Sequence, residues 1–173
     1  LCLQSVLAAT TNLDSEIIVV DNASVDGSVP WIKSQFPQVK LIENQENLGF
    51  PKGNNIGVAQ AKGEYVCILN PDTVIAEDTF FKALEFMEQN QQLAIMGPKL
   101  IDGSGRFLKE SKRGVPTPWV AFTKVTGLYK IDPQLFGKYY NLKLPESQPG
   151  VTDVLVGACM FMKRDHYLAL KGF

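Results

Sequence analysis

Three short apolar runs, each closed by a polar cluster, constrain this chain more than any other feature of its sequence. Glu16-Ile17-Ile18-Val19-Val20 is β-branched and nearly continuous, as a strand buried on both faces reads. Val39 to Ile42 and Tyr65 to Leu69 repeat the pattern, and Leu93 to Met96 predicts a fourth strand. Helical spacing fills the intervals. Ser28 to Phe36 places Trp31, Ile32 and Phe36 on one side, with Pro30 in the first turn where proline is tolerated. A weak helix is expected from Lys52 to Ala61, and the strongest from Glu77 to Gln89, with Phe80, Leu84 and Met87 on one face. Strands alternating with helices predict an α/β layer fold around a mostly parallel sheet, with helices on both faces. Ligands in such sheets sit beyond the carboxyl ends of the strands.

The pattern changes after Met96. Leu100 to Leu108 reads as a hairpin around Asp102-Gly103-Ser104-Gly105. Residues 111–150 hold half of the prolines and show weak periodicity, so a long excursion with one or two short helices is expected. Val151 to Met162 returns to a strand, and Asp165 to Leu170 predicts a closing helix with Gly172 as its stop.

Each polar cluster directly follows a strand: Asp21 to Ser28, then Asn44 to Phe50 with Gly53-Asn54-Asn55, then Asn70-Pro71-Asp72-Thr73. Singly, these are ordinary turn and cap sequences. Together, if the strands are parallel neighbours, they meet on one edge of the sheet and line a crevice with carboxylates and amides. Such a lining suits a ribose, a base edge and a divalent cation better than an apolar ligand. Asp72 stands out, because a hard cation such as Mg²⁺ is held by one or two carboxylates plus substrate phosphate oxygens. No G-x-x-x-x-G-K-[ST] occurs, and no G-x-G-x-x-G follows the first strand, which removes the P-loop and dinucleotide readings.

The bulk properties narrow the class further. With 45% hydrophobic and 20% charged residues, the 173-residue chain reads as one ordinary globular domain. A formal net charge of -1 supplies no global field toward nucleic acid or an anionic membrane. Cys2, Cys67 and Cys159 lie in apolar runs without a CxxC, which predicts reduced core thiols. No apolar run reaches the roughly 18 residues of a membrane-spanning helix. Leu1 and Phe173 both read as cuts within a longer pattern.

The ordered set Ile17 to Ser28, Glu46-Asn47-Leu48-Gly49-Phe50 with Gly53 to Gly57, and Leu69-Asn70-Pro71-Asp72-Thr73 resembles family 2 glycosyltransferases. Gly157 to Arg164 with Gly172-Phe173 is similar to the rhamnosyltransferase-like branch of bacterial surface-polysaccharide synthesis. The resemblance implies a GT-A fold, a nucleotide-binding half over 1–98, and the start of an acceptor-side half over 99–173. It implies inverting transfer from a nucleotide-diphosphate sugar to a glycan or lipid-linked acceptor, assisted by Mg²⁺ or Mn²⁺. Asp21 would contact base or ribose, with Asn22, Ser24 and Asp26 beside it. Asn47, Gly49, Asn54 and Asn55 would line the nucleotide pocket. Asn70 and Asp72 would stand at the family's Asp-x-Asp position, leaving Asp72 as the metal carboxylate. Arg113, from the run Lys109 to Arg113, would approach the diphosphate, which suits its forked guanidinium.

Two departures follow. The family's opening strand is expected before Leu1 and its acidic base beyond Phe173, so no residue here takes the catalytic role and the fragment alone is expected to be inactive. His166 reads as a surface residue and Asp153 as structural. A cytoplasmic place at the inner membrane face, peripheral association of the full protein and the absence of a nucleic-acid partner complete the implied picture. The rival readings are a sugar-1-phosphate nucleotidyltransferase and a non-catalytic nucleotide-sugar-binding module.

Overall fold

In the computed structural model, strands and helices alternate as the periodicity requires, with boundaries moved by one to three residues. The structure describes residues 1–108, 111–113, 118, 122, 125–127 and 148–173. Most of the expected 111–150 excursion, together with Lys109 and Glu110, lies outside the described residues. Two compact units are present: residues 1–95 with 161–173, and residues 96–160.

The first unit opens with a helix that the periodicity does not predict, α1 (Cys2–Thr10). It buries only Val6 and Ala9, small residues that give a weak periodic signal. Its Ser5 hydroxyl accepts the Ile75 N–H at 3.0 Å. Strand β1 (Ile18–Asp21) pairs in parallel with β2 (Lys40–Glu43), from Ile18 opposite Lys40 to Asp21 opposite Glu43. Between them runs α2 (Ser28–Gln35), where Trp31 stays half exposed and meets Phe36 edge-on at 5.2 Å. Ile18 to Val20 are half-buried rather than fully enclosed, because β1 has β2 as its one partner strand among the described residues.

Helix α3 (Gly49–Ala59) starts three residues before the expected Lys52. The Asn47 carboxamide accepts the Gly49 N–H at 2.9 Å and turns the chain, and Pro51 occupies the first turn. Its small residues permit close packing on β1: a Cβ at Gly57 would lie 3.1 Å from Val20 Cγ2. In β3 (Tyr65–Leu69), Val66 and Ile68 are buried. Helix α4 (Thr79–Gln89) buries Phe80, Ala83 and Met87, so Ala83 rather than Leu84 completes the inward face. Its Asp78 carboxylate pairs with Lys82.

A three-stranded sheet has the order β3-β7-β4, with β4 (Ile95–Met96) and β7 (Cys159–Lys163). As the middle strand, β7 buries Cys159 to Met162 in succession. The Arg164 N–H, just past the end of β7, donates to the Glu64 carbonyl just before β3, so the two strands run antiparallel. The expected Val151–Met162 strand is broken: β6 (Val154–Leu155) ends before a turn at Gly157-Ala158, residues with little strand preference. In the second unit, β6 pairs antiparallel with β5 (Lys112–Arg113), and the expected hairpin is present as an Ile101–Phe107 antiparallel bridge. The expectation of a mostly parallel sheet is therefore corrected: the α/β fold carries mixed parallel and antiparallel pairings.

Helix α5 (Arg164–Ala169) closes the first unit, with His166 exposed and Tyr167 buried. Its stop comes one residue earlier than expected, since Lys171 (φ 62°) and Gly172 (φ 76°) are both left-handed. Among the described residues, no helix is long and apolar enough to cross a membrane.

Candidate functional site

Because β1 and β2 are parallel, their polar clusters emerge on the same edge. Asp21, the last residue of β1, is 9% exposed and is the one buried charged residue among those described. Its Oδ2 accepts the Ser24 N–H at 3.0 Å, closing a turn in which Ala23 takes a left-handed φ of 63°. A non-glycine residue held there stores strain, a recurring feature of ligand-binding turns.

Asn22 joins the first two clusters. Its Nδ2 donates to the Gly49 carbonyl at 3.3 Å, and its Oδ1 accepts from Asn44 Nδ2 at 2.9 Å. The Asn44 N–H also donates to the Asp21 carbonyl at 2.9 Å. Gly53 makes room for this network, since a Cβ there would stand 3.3 Å from Asn22 Nδ2. Asn44 and Gly53 thus belong structurally to this edge, although their spacing assigns neither a role; a glycine inside a helical pattern is the available signal.

Several expected ligands are occupied locally. The Asp26 carboxylate accepts from the Ser28 hydroxyl and N–H, and these bonds hold its pKa below the ordinary carboxylate value. Asn54 Nδ2 bonds the Phe50 carbonyl of its own helix at 2.8 Å. Asn55 turns elsewhere: its Oδ1 accepts from Tyr167 Oη at 2.5 Å and from the Phe173 N–H at 3.1 Å.

The third cluster is tied to α1. The Asn70 carbonyl accepts from the Thr73 hydroxyl at 2.7 Å and its N–H at 3.3 Å, and Cys2 Sγ lies 3.7 Å from the same oxygen. Burial, foremost, raises the Cys2 thiol pKa, and the nearby Asp72 charge adds to the rise. Asp72 itself is exposed and makes no hydrogen bond or ion pair among the described residues. Among the described residues, no group of three or more His, Cys, Asp or Glu converges there. One available carboxylate beside backbone oxygens fits a hard cation that takes its other ligands from phosphate and water, and does not fit a protein-only cage. No hydrogen bond among the described residues links Asp72 to the Asp21 cluster. Arg113 lies in β5 of the second unit, opposite Val154.

The model for the family described as "Glycosyl transferase family 2" matches residues 1–169. Among curated proteins, the chain is 27% identical over 177 residues to an uncharacterised protein of Sinorhizobium fredii, covering 98% of this chain and 18% of that protein. It is 30% identical over 147 residues to the poly(ribitol-phosphate) beta-glucosyltransferase of Bacillus spizizenii, covering 82% of this chain and 23% of the relative. The chain thus spans about a fifth of the length of these two relatives. Among solved structures, it shares a fold with a mannosyltransferase from Pyrobaculum calidifontis in complex with GDP-Man and Mn²⁺, at TM-score 0.55 and 23% identity, over 91% of this chain and 38% of that one.

Proposed function

This chain belongs to glycosyl transferase family 2, and we propose that it supplies the donor-binding part of an inverting transferase that uses a nucleotide-diphosphate sugar. The observation that carries the reading is the edge formed by the Asp21 turn and the Asn22–Asn44–Gly49 network, two polar clusters joined at the carboxyl ends of parallel strands. Asp21 is assigned to the base or ribose, with the Ser24 turn fixing its carboxylate. Asn22, Asn47, Gly49 and Gly53 shape the pocket, while Asn54, Asn70 and Asp26 support its loops. Residues 1–98 are assigned to the nucleotide side and 99–173 to the start of the acceptor side, and Arg113 is assigned to the diphosphate by its place in the sequence alone.

Asp72 is assigned to a divalent cation, and the Mn²⁺ of the Pyrobaculum mannosyltransferase complex supports that assignment. When bound, the cation neutralises charge on the departing diphosphate. The acceptor hydroxyl attacks the anomeric carbon opposite the diphosphate, the bond to the diphosphate oxygen breaks, and a carboxylate base takes the proton. No residue of this chain is assigned that base. The acceptor is a glycan or lipid-linked glycan, handled at the cytoplasmic face of the membrane by a peripherally bound protein.

The test is calorimetric titration with UDP and GDP, with Mn²⁺ or Mg²⁺ and then with chelator. Binding is expected to require the cation. Asp72→Asn keeps size but removes charge, and is expected to weaken metal-dependent binding about tenfold or more, the order of one lost charge-assisted contact. Equal wild-type affinity with chelator, or full metal-dependent affinity in the variant, would make Asp72 a turn residue only.

A further inference from the structure

Asn55 occupies the same helix as the donor-side residues but faces another partner. Gly53 abuts Asn22. Asn55 lies two positions on, about 200° around a helix of 3.6 residues per turn. There its carboxamide pairs with the backbone of one residue in both directions: Oδ1 accepts the Phe173 N–H at 3.1 Å, and Nδ2 donates to the Phe173 carbonyl at 3.2 Å. Tyr167 Oη adds a third bond at 2.5 Å. The Phe173 ring then sits 5.6 Å from Tyr167, edge-on, and 5.8 Å from Phe50, the residue after Gly49. Gly172 reports independently on this arrangement. At φ 76° it is left-handed, and a Cβ there would overlap Asn55 Oδ1 and stand 2.8 Å from its Cγ.

We propose that Asn55 is a positioning residue: it clasps the backbone of Phe173 and sets that ring against Phe50 beside the donor loop, instead of binding the nucleotide. The carboxamide matches a peptide group in both donor and acceptor, so one side chain completes the hydrogen bonding of Phe173 as a neighbouring strand would. All three of these bonds occupy the carboxamide atoms a nucleotide would need. The assignment of a role beside the donor loop rests on the donor-site reading; the clasp itself does not.

Three variants test it by nuclear magnetic resonance amide exchange, ultraviolet tyrosine titration and UDP or GDP binding with Mn²⁺. In Asn55→Ala, Phe173 amide exchange is expected to rise about tenfold or more, as for the loss of two or three hydrogen bonds. Tyr167, whose phenol pKa is pushed up by burial and partly offset by the Phe173 backbone, is expected to titrate closer to ordinary tyrosine only as far as release of Phe173 opens its ring to water. Asn55→Asp keeps the shared acceptor and should retain Phe173 N–H protection and a raised Tyr167, and it serves if the Ala variant fails to fold. Gly172→Ala should reproduce Asn55→Ala. Nucleotide affinity should stay within about threefold throughout. Unchanged exchange in Asn55→Ala overturns the clasp. Affinity lost beyond threefold in Asn55→Ala, whether or not Gly172→Ala shares the loss, overturns the proposal; affinity kept in both variants supports it. If the wild type binds neither nucleotide, the donor-site reading fails, and exchange alone decides the clasp.

Discussion

At the scale of single residues, the candidate site joins side chains bound within their own loop or helix, such as Asp26 and Asn54, to others paired with distant residues, such as Asn22. Gly53 gives the sharpest case. Alanine is worth about 1 kcal/mol over glycine inside a helix. Here its Cβ would press on the Asn22 amide at 3.3 Å, endangering bonds to Gly49 and Asn44. Losing two such bonds costs about 2 kcal/mol, so Gly53→Ala is expected to be net destabilising by about 1 kcal/mol. Urea unfolding measures the sign, and a stabilised variant would mean that Asn22 relaxes freely. The residue types at this edge were legible in the sequence, because turn and amide chemistry after apolar runs is a local signal. Their commitments were legible only in part. Asp26 and Asn54 turned out to bond within their own loop or helix, and Asn55 to a residue 118 positions away. The Asp26 turn follows from its Asp-x-Ser spacing, but neither spacing nor composition carries the Asn55 pairing.

At the scale of elements, the alternation of periods gave the order of strands and helices through residue 96, since apolar periodicity is what burial on a sheet or helix face demands. The exceptions have physical reasons. Helix α1 buries only small residues, and the apolar stretch before Met162 is interrupted at Gly157-Ala158. Strand direction was not legible, because a buried antiparallel strand such as β7 is as uniformly apolar as a parallel one. The side chains of β7 nevertheless matter for stability. Phe161 stacks on Tyr65 at 5.9 Å and on Phe80 at 6.4 Å, joining β3 and α4. Phe161→Ala is expected to cost about 3–5 kcal/mol. Val25→Ser, on a fully exposed residue, should stay within about 0.5 kcal/mol. Thermal unfolding of the pair checks the contrast, and similar losses would contradict the assignment of β7 as the core strand.

At the scale of the whole molecule, nucleotide recognition is proposed at the carboxyl ends of β1, β2 and β3, a position typical of layered α/β sheets. The structure also offers a groove of about 460 Å³ between α1 and α4, lined by Asn12, Leu13, Glu77, Asp78 and Phe81 among others. Its two carboxylates would repel a diphosphate, and no paired polar cluster converges on it. Amide chemical-shift mapping during titration with UDP or GDP and Mg²⁺ separates the two sites. The account predicts perturbations concentrated at Asp21 to Ser24, Asn44 to Gly49 and Asn70 to Thr73, with the α1–α4 groove silent. Perturbations centred on Asn12, Glu77 and Phe81, or none at the strand ends at millimolar nucleotide, would contradict it.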